Sequence, residues 1–328
     1  MISDRPQDHG GPERVRKVLG AMERYMNSVP GHKRGHARGV AFHGHFTPMP
    51  EVAALSTAEL FGAERIDVVV RLSNGGSSPY LADRVDGKRG NPLGIGVRFE
   101  LPSGDHSSWT ALNLAAFPPR TPDDFHAMVV NTRSAVPGGS PNPGRMLAFL
   151  APRMPRVLPG IKAAATLAPP VSFATARFNG FHAYYLVDAA GRRQAFRFRF
   201  MPVAGIANMD PEDNTLLPPQ YVVSEIKNRV ARAPVAWKLV LQLAQEGDEV
   251  DDLRVLWPES RPLVVAGELV IDRLHEDSEL VDDWVFDPTR MPAGIELSDD
   301  PLLHFRSEAY WESHRRRSAE SKPAIVPE

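Results

Sequence analysis

The sequence predicts an α+β protein whose core is a closed antiparallel β-barrel with helices around it. Two segments, 66–73 and 95–101, alternate apolar and polar residues with the period of a β-strand. Segments 181–187 and 194–200 flank a short turn that ends in glycine, which is typical of a hairpin. Long antiparallel strands leave edges unless their sheet closes, so these observations favour a barrel.

In the first half of the chain, one helix is predicted before the strands. Residues 1–11 are polar with glycine and proline and are expected to be mobile. Residues 12–27 place their apolar side chains on one face, which predicts a helix. In the strand that follows, Arg71 and Ser73 share the face opposite the apolar residues. Another helix is predicted near 122–133.

In the second half, prolines divide most of the predicted helices. The predicted elements are a loop at 134–144, a broken helical stretch near 145–168, helices at 219–231 and 234–246 with Pro234 opening the second, a strand at 263–273, an extended wrapping segment at 275–304, a last helix at 301–317 and a disordered tail at 318–328. There is no internal repeat. We therefore expect a single domain over 12–317, with its barrel core at about 37–275.

Composition excludes several classes of function. Of the 328 residues, 42% are apolar, enough for a large core, and the net charge of −2 favours neither nucleic acid nor an anionic membrane surface. The absence of cysteine excludes disulfides and thiolate metal sites. No stretch approaches the length of a membrane span, and the first residues do not resemble a signal peptide. These observations predict a cytoplasmic protein.

The pair Arg306 and Tyr310 is the strongest chemical signal in the chain. On a helix, residues four apart lie on the same face. A tyrosine is a poor metal ligand while it keeps its proton, and a fixed guanidinium charge favours the phenolate. The pair can therefore hold an oxyanion ligand for ferric iron. The alternative is a surface helix with an ordinary charge and a half-buried aromatic ring.

Four blocks of sequence, at 33–46, 68–73, 286–296 and 306–317, resemble the haem catalase family in order and spacing. The resemblance covers roughly residues 30–317. It is closest to the short branch, the catalase-related peroxidases, which stops soon after the tyrosine helix. The resemblance implies a catalase-type barrel without the extra C-terminal helical domain, a single haem domain, and haem b with ferric iron as the cofactor.

The resemblance also implies the catalytic residues. His36 corresponds to the distal histidine, and an imidazole there can move a proton between the two oxygens of a peroxide. Asn113 falls where the family places a second hydrogen-bond donor for the peroxide. Ser73 falls where a serine orients the distal imidazole. The alternative for His36 alone is a structural or solvent-exposed residue in a glycine-rich loop.

The remaining site residues concern the cofactor. Tyr310 corresponds to the axial ligand of the haem iron, and Arg306 tempers its electron donation by hydrogen bonding. Cations are needed for the two haem propionates, and the matching positions are Arg71, Arg317 and Lys33. The family has arginine rather than lysine at the last position, and Arg34 beside it would point elsewhere.

Gly35, immediately before His36, removes a side chain that large catalases carry. We therefore expect a wider access route, unless Phe117 or Phe125 fills the space beside the cofactor. A wider route favours a peroxidase that reduces hydrogen peroxide or organic hydroperoxides with an organic electron donor and has weak catalase activity. The first alternative is a fatty-acid hydroperoxide isomerase or lyase, and the second is a haem-binding or storage protein.

Other histidines are weaker candidates. His43 and His45 form a His-x-His pair on a predicted strand, but two nitrogens are too few for a closed metal site. His182 lies where large catalases bind a nicotinamide dinucleotide, and we do not extend that binding to this chain. His314 matches a position near the haem periphery. The predicted partners are a peroxide and an organic reductant, with a homodimer as the expected assembly.

Overall fold

Eight strands form the centre of this protein, and helices lie around them. The structure is a computed structural model that describes residues 11–85, 89–133, 142–210 and 217–322. Its strands are β1 Gly39–Pro48, β2 Ile66–Asn74, β3 Arg84–Val85, β4 Arg89–Gly90, β5 Leu93–Glu100, β6 His106–Leu112, β7 Phe178–Asn179, β8 Tyr184–Val187, β9 Arg193–Pro202, β10 Val235–Leu243, β11 Leu263–Leu274 and β12 Ile295–Leu297. Its α-helices are α1 Gly11–Tyr25, α2 Glu59–Gly62, α3 Pro122–Thr132, α4 Pro143–Leu150, α5 Leu158–Ala165, α6 Tyr221–Val230, α7 Ser278–Asp283 and α8 Pro301–Ser318.

The main sheet closes on itself. Its strands follow the order β10, β11, β1, β2, β5, β6, β7, β9, and β9 pairs again with β10. Neighbours in this ring are antiparallel, so no strand edge is left open within it. β8 and β12 extend the sheet beyond β9. The predicted α+β fold with an antiparallel barrel and peripheral helices is confirmed.

Strand alternation places the polar residues of β2 and β5 outside the barrel. Val70 and Leu72 belong to the main buried cluster, as do the apolar residues of β5. Successive side chains of a strand point to opposite faces, so Arg71 and Ser73 lie on the outer face of β2. Gly94 pairs with Ser73 and Gly96 pairs with Arg71. The outer face of β5 is therefore nearly bare at this point.

Aromatic rings fill the interior of the barrel. Trp109 on β6 is fully buried, and its ring centroid lies 4.7 Å from that of Phe198 and 5.9 Å from that of Phe99. Its indole N–H donates to Ser107 Oγ at 3.1 Å, so its single polar group is satisfied.

Replacing Trp109 with alanine is expected to lower the free energy of unfolding by about 3–5 kcal/mol. The reason is that loss of the buried ring leaves a cavity among its packed neighbours. Urea denaturation followed by circular dichroism measures the loss. The control is Trp311→Ala, since Trp311 is 44% exposed on α8. Equal losses in both variants would contradict the assignment of Trp109 to the core.

Most predicted elements are confirmed, with one error and one omission. The helix predicted at 234–246 is wrong, because Val235–Leu243 is strand β10 between β9 and β11. Its fully buried Trp237, Leu239 and Leu241 recur every second residue, which is a strand period. No strand was predicted from the sequence where β6 lies. Within 275–304 the structure has α7 and β12.

The two ends of the chain bear on several predictions. Residues 1–10 and 323–328 lie outside the described part, as do 134–141 of the predicted loop. The last helix, α8, ends at Ser318, and Glu320 beyond it accepts hydrogen bonds from Arg34 and from the Gly31 backbone. Among the described residues, the structure contains no helix with the length and apolarity that a membrane crossing requires.

Candidate functional site

His36 lies in the turn that enters β1, in a backbone conformation that few residues other than glycine adopt. Its φ is +57°, in the left-handed region. Arg71 Nη2 donates to its carbonyl at 2.9 Å, and the next amide, of Ala37, donates to the Gly76 carbonyl at 2.9 Å. Both bonds fix the peptide that carries the imidazole, so the ring is aimed by the backbone as well as by its own contacts.

The His36 imidazole packs against the bare outer face of β5. Its Nδ1 lies 3.0 Å from Ser73 Oγ. A Cβ on Gly94 would lie 2.5 Å from His36 Cε1, so only glycine leaves room for the ring. The predicted contact between Ser73 and His36 is therefore present. The alternation Gly94, Gly96 within an apolar strand was a readable signal for such a close approach, which the sequence reasoning missed.

Burial and nearby cations act together on this imidazole. They lower the pKa of His36 from 6.5 to about 3, with burial first, followed by the charges of Arg71, Arg306 and Lys33. His36 is therefore neutral at physiological pH and can accept a proton. Among the described residues, Ser73 is its one side-chain hydrogen-bond partner, so Nε2 stays available to a ligand.

Asn113 follows β6 and is bound to the start of β5. Its side-chain Oδ1 accepts from the Leu93 backbone N–H at 2.7 Å, and its backbone N–H donates to the Leu93 carbonyl at 3.0 Å. Its side-chain nitrogen has no partner within the described residues, so that nitrogen can donate to a bound molecule. The geometry is compatible with the role that the resemblance implies.

Tyr310 and Arg306 lie one turn apart on α8, as their spacing predicts. Arg306 Nη2 lies 2.6 Å from the Tyr310 hydroxyl, and its Nε lies 3.2 Å away. Arg306 Nη2 also donates to Thr110 Oγ1 on β6 at 2.8 Å, which anchors α8 to the outer face of the barrel. Arg306 therefore makes two contacts to the Tyr310 oxygen and holds it in place.

The start of α8 is fixed by a buried pair. Asp300 caps the helix by accepting from the Leu302 amide at 2.9 Å, and its other oxygen lies 2.8 Å from His182 Nδ1. Both side chains are buried. His182 therefore positions the helix that carries Tyr310, and the sequence contained no signal for this pairing.

The three predicted propionate cations lie together beside α7. The pKa of Lys33 is lowered well below its usual value. Burial is the largest cause, and the positive charges of Arg71 and Arg317 follow. Burial also lowers the pKa of Arg317 to about 10. Arg317 Nε is buried without a hydrogen-bond partner in the described part of the chain. Crowded, incompletely paired cations fit a dianionic ligand such as the two propionates of a haem.

A cleft of about 330 Å³ opens beside these cations. Its lining includes Lys33 and Arg317, and also the carboxylates Asp282, Asp283 and Glu279. The sequence reasoning did not single out any of these acids. Arg34 pairs with Glu23 and with Glu320, and Glu320 also lines this cleft.

Phe117 and Phe125 lie in a second apolar cluster between α1, α3 and α8. The ring of Phe117 stacks on Phe181 at 5.7 Å and lies 6.1 Å from Phe125. A Cβ on Gly35 would meet a single atom within 4 Å, the Met22 methyl carbon at 3.8 Å. The side chain nearest to Gly35 is thus Met22, not Phe117 or Phe125, and the space there is largely open.

The His43 and His45 pair does not converge. One ligand atom from each of His43, His275 and Glu276 lies within 4.8 Å of the others, whereas His45 lies 3.7 Å from Asp272. His43 Nε2 already contacts Glu276 at 2.9 Å, and His275 Nδ1 accepts from the Asp277 amide at 3.1 Å. His43 and Glu276 are therefore engaged with each other, and His275 Nδ1 is engaged with a backbone amide. His314 lies 3.5 Å from Asp283.

The barrel and the comparisons with known proteins together define the class, an oxidoreductase that acts on peroxide. The sequence matches the Catalase family model over residues 21–325. The chain belongs to the catalase family, which implies a haem cofactor.

Two relatives are of similar length to this chain. A catalase-related peroxidase of Synechococcus elongatus is 29% identical over 92% of this chain and 88% of its own length. A catalase-related peroxidase of Mycolicibacterium paratuberculosis is 29% identical over 95% of this chain and 97% of its own length.

Solved structures are similar in fold. Catalase A from Saccharomyces cerevisiae has a TM-score of 0.75 and 21% identity, and a fungal catalase has a TM-score of 0.77 and 22% identity. Each match covers 88% of this chain, but only 62% and 59% of those chains. At this identity, the likeness concerns the fold alone.

Proposed function

We propose that the protein is a haem b peroxidase that reduces hydrogen peroxide or organic hydroperoxides with organic electron donors, with weak catalase activity. The observation that carries the proposal is a neutral, buried His36 held by Ser73, on the same barrel face as the Arg306–Tyr310 pair. A haem-binding or storage protein would not need an imidazole poised to accept a proton.

In this proposal, the Tyr310 oxygen would hold the ferric iron, and Arg71, Arg317 and Lys33 would bind the propionates. When bound, haem would supply a redox-active iron that relays electrons from the organic donor to the peroxide. His36 takes the proton from one peroxide oxygen and returns it to the other, so that water leaves as the O–O bond breaks. Ser73 keeps the ring in place, and Asn113 donates its free amide N–H to the peroxide. Arg306 moderates the donation of electrons by the phenolate.

Gly35 supports the choice of a bulky co-substrate. Met22 is the one described neighbour within 4 Å of a Cβ built at Gly35, which supports a wider approach beside His36. The same openness suits a fatty-acid hydroperoxide isomerase or lyase as the second candidate. The two differ in electron balance, because a peroxidase consumes a donor and an isomerase does not.

Spectra and turnover of the purified, haem-supplied protein test the proposal. A high-spin ferric spectrum and donor-dependent peroxide consumption, for example with guaiacol, are expected. Product analysis with a lipid hydroperoxide, with and without the donor, separates the two candidates. Failure to bind haem under adequate supply would overturn the proposal. A homodimer in a cytoplasmic location remains our prediction for the assembly.

The pH dependence follows from the lowered pKa of His36. Because this pKa is about 3 rather than 6.5, the working neutral form persists as the pH falls from 8 to 5. We expect kcat/KM for peroxide to stay level over this range. A fall with an apparent pKa near 6.5, absent from His36→Ala, would contradict the assignment.

The stability of the fold changes in a related way. Between pH 3 and pH 6.5 the unfolded chain binds a proton at His36 and the folded chain does not, so the unfolding free energy decreases as the pH falls through this window. Buried His182, whose pKa is also lowered, chiefly by burial, acts in the same direction. Urea titrations at a series of pH values measure the trend.

A further inference from the structure

Three consecutive residues at the end of α7 hold the three predicted propionate cations. The contacts are Arg71 Nε to Asp282 Oδ1 at 2.7 Å, Arg317 Nη2 to the Asp283 carbonyl at 2.7 Å, and Lys33 Nζ to the Trp284 carbonyl at 2.6 Å. Of these three hydrogen bonds, only the first uses a side chain of this segment, while Asp283 Oδ1 lies 3.8 Å from Arg317 Nε. The first is therefore the one that a substitution can remove without moving the backbone.

Arg71 links Asp282 to the distal histidine. Its Nε is bound by Asp282, and its Nη2 donates to the His36 carbonyl at 2.9 Å. Arg71 is only 4% exposed. Since His36 has a left-handed backbone, which costs energy for a residue with a side chain, its carbonyl needs a fixed partner to keep that conformation.

The guanidinium plane of Arg71 has little freedom while Asp282 binds it. A Cβ on Gly39 would lie 2.4 Å from Arg71 Cζ, so one side of the plane is packed against the backbone of β1. Nη1 has no hydrogen-bond partner among the described residues and is left for a propionate. Without Asp282, Arg71 Nε loses its partner and the guanidinium can turn about its terminal torsions, so that it withdraws from the His36 carbonyl.

We infer that Asp282 is a positioning residue for His36, acting through Arg71. The inference rests on the proposed function, in which His36 handles the peroxide proton. It differs from the simpler possibility that Asp282 merely competes with a propionate for Arg71. In that case, removing Asp282 strengthens haem binding and leaves the distal histidine unchanged.

Cyanide binding to the haem-loaded protein distinguishes the two. Hydrogen cyanide must lose a proton near His36 before its anion binds ferric iron, so the association rate reports the placement of the ring without turnover. We expect Asp282→Ala to slow association by about tenfold, the scale of outer partners of a metal site. Asp282→Asn, which keeps an oxygen acceptor for Arg71 Nε, restores most of the rate.

Glu279→Ala is the matched control. Glu279 is an exposed acid on the same helix and lines the same cleft, but it makes no hydrogen bond or ion pair with the cations in the described chain. Its removal changes the local charge equally and leaves the rate unchanged. The inference is overturned if Asp282→Ala binds cyanide at the wild-type rate, if it matches Glu279→Ala, or if it only retains haem more tightly.

Nitrogen-15 NMR of the histidine rings decides the question independently of haem. In the haem-free protein, Asp282→Ala is expected to shift the His36 ring signals, because its bond to Ser73 loosens, while Glu279→Ala leaves them in place. Unshifted His36 signals in Asp282→Ala overturn the inference. If the wild type binds no haem, the proposed function fails, and these signals still report whether Asp282 positions His36.

Discussion

Replacing His36 with alanine is expected to lower kcat/KM for hydrogen peroxide by about 10²–10⁴-fold, the range for a general acid–base group. The neutral imidazole, fixed by Ser73 at 3.0 Å, is the proposed carrier of the peroxide proton. Buried His182 cannot replace it, because His182 is engaged with Asp300. Stopped-flow measurement of the reaction of the haem-loaded protein with peroxide determines the loss.

Two further variants make this result specific. Ser73→Ala keeps the ring but removes its orienting contact, so a smaller loss, about tenfold, is expected. His43→Ala removes an imidazole from the outer face of β1, away from the site, and is expected to react at the wild-type rate. A His36→Ala protein that retains haem and reacts as fast as the wild type would show that the proton is carried by another group.

The barrel could be predicted because its signals are local. Alternation in β2 and β5 and the hairpin turn between β8 and β9 depend on neighbouring residues only. Local signals predict a helix at β10, because Pro234 suits the first position of a helix, and this prediction is wrong. Proline also fits just before a strand, and the pairing of β10 with β9 and β11 decides the outcome. Sequence alone does not show which strands will be neighbours.

Within the candidate site, contacts between residues of one element could be predicted, and contacts between distant parts of the chain could not. Arg306 and Tyr310 share a helix, so their contact follows from spacing, and Arg71 and Ser73 share a strand face. The partners that hold these residues come from far along the chain: Thr110 binds Arg306, Asp282 binds Arg71, and Asp300 binds His182. Such pairings depend on the packing of α7 and α8 against the barrel, for which no short motif exists.

Gly94 illustrates what a sequence can indicate without specifying. A glycine within an apolar strand signals that something approaches the backbone closely, but not what approaches. Here the approaching group is the His36 ring, whose Cε1 would lie 2.5 Å from a Cβ at that position. The candidate site is thus defined as much by the absence of a side chain at Gly94 on β5 as by the imidazole itself.

Tyr310→Phe is expected to remove the proposed iron ligand while preserving the ring. The variant keeps the packing of α8. It leaves Thr110 Oγ1 as the remaining hydrogen-bond partner of Arg306 Nη2 among the described residues. Because outer partners of metal sites already contribute about 10–100-fold to affinity or activity, loss of the ligand itself is expected to reduce peroxide turnover by more than about 100-fold. Haem content and the ferric optical spectrum are expected to change as well.

Tyr185→Phe is the matched control, since it too is a tyrosine paired with an arginine. Arg193 Cζ lies 3.9 Å from the centroid of the Tyr185 ring on β8, so the guanidinium contacts the face of the ring and not its hydroxyl. Removing that hydroxyl is expected to leave the haem spectrum and turnover unchanged. Optical titration with haem and steady-state assays compare the two variants. If Tyr310→Phe retains the wild-type spectrum and turnover, the iron has another ligand, and the Arg306–Tyr310 pair serves only to anchor α8 to the barrel.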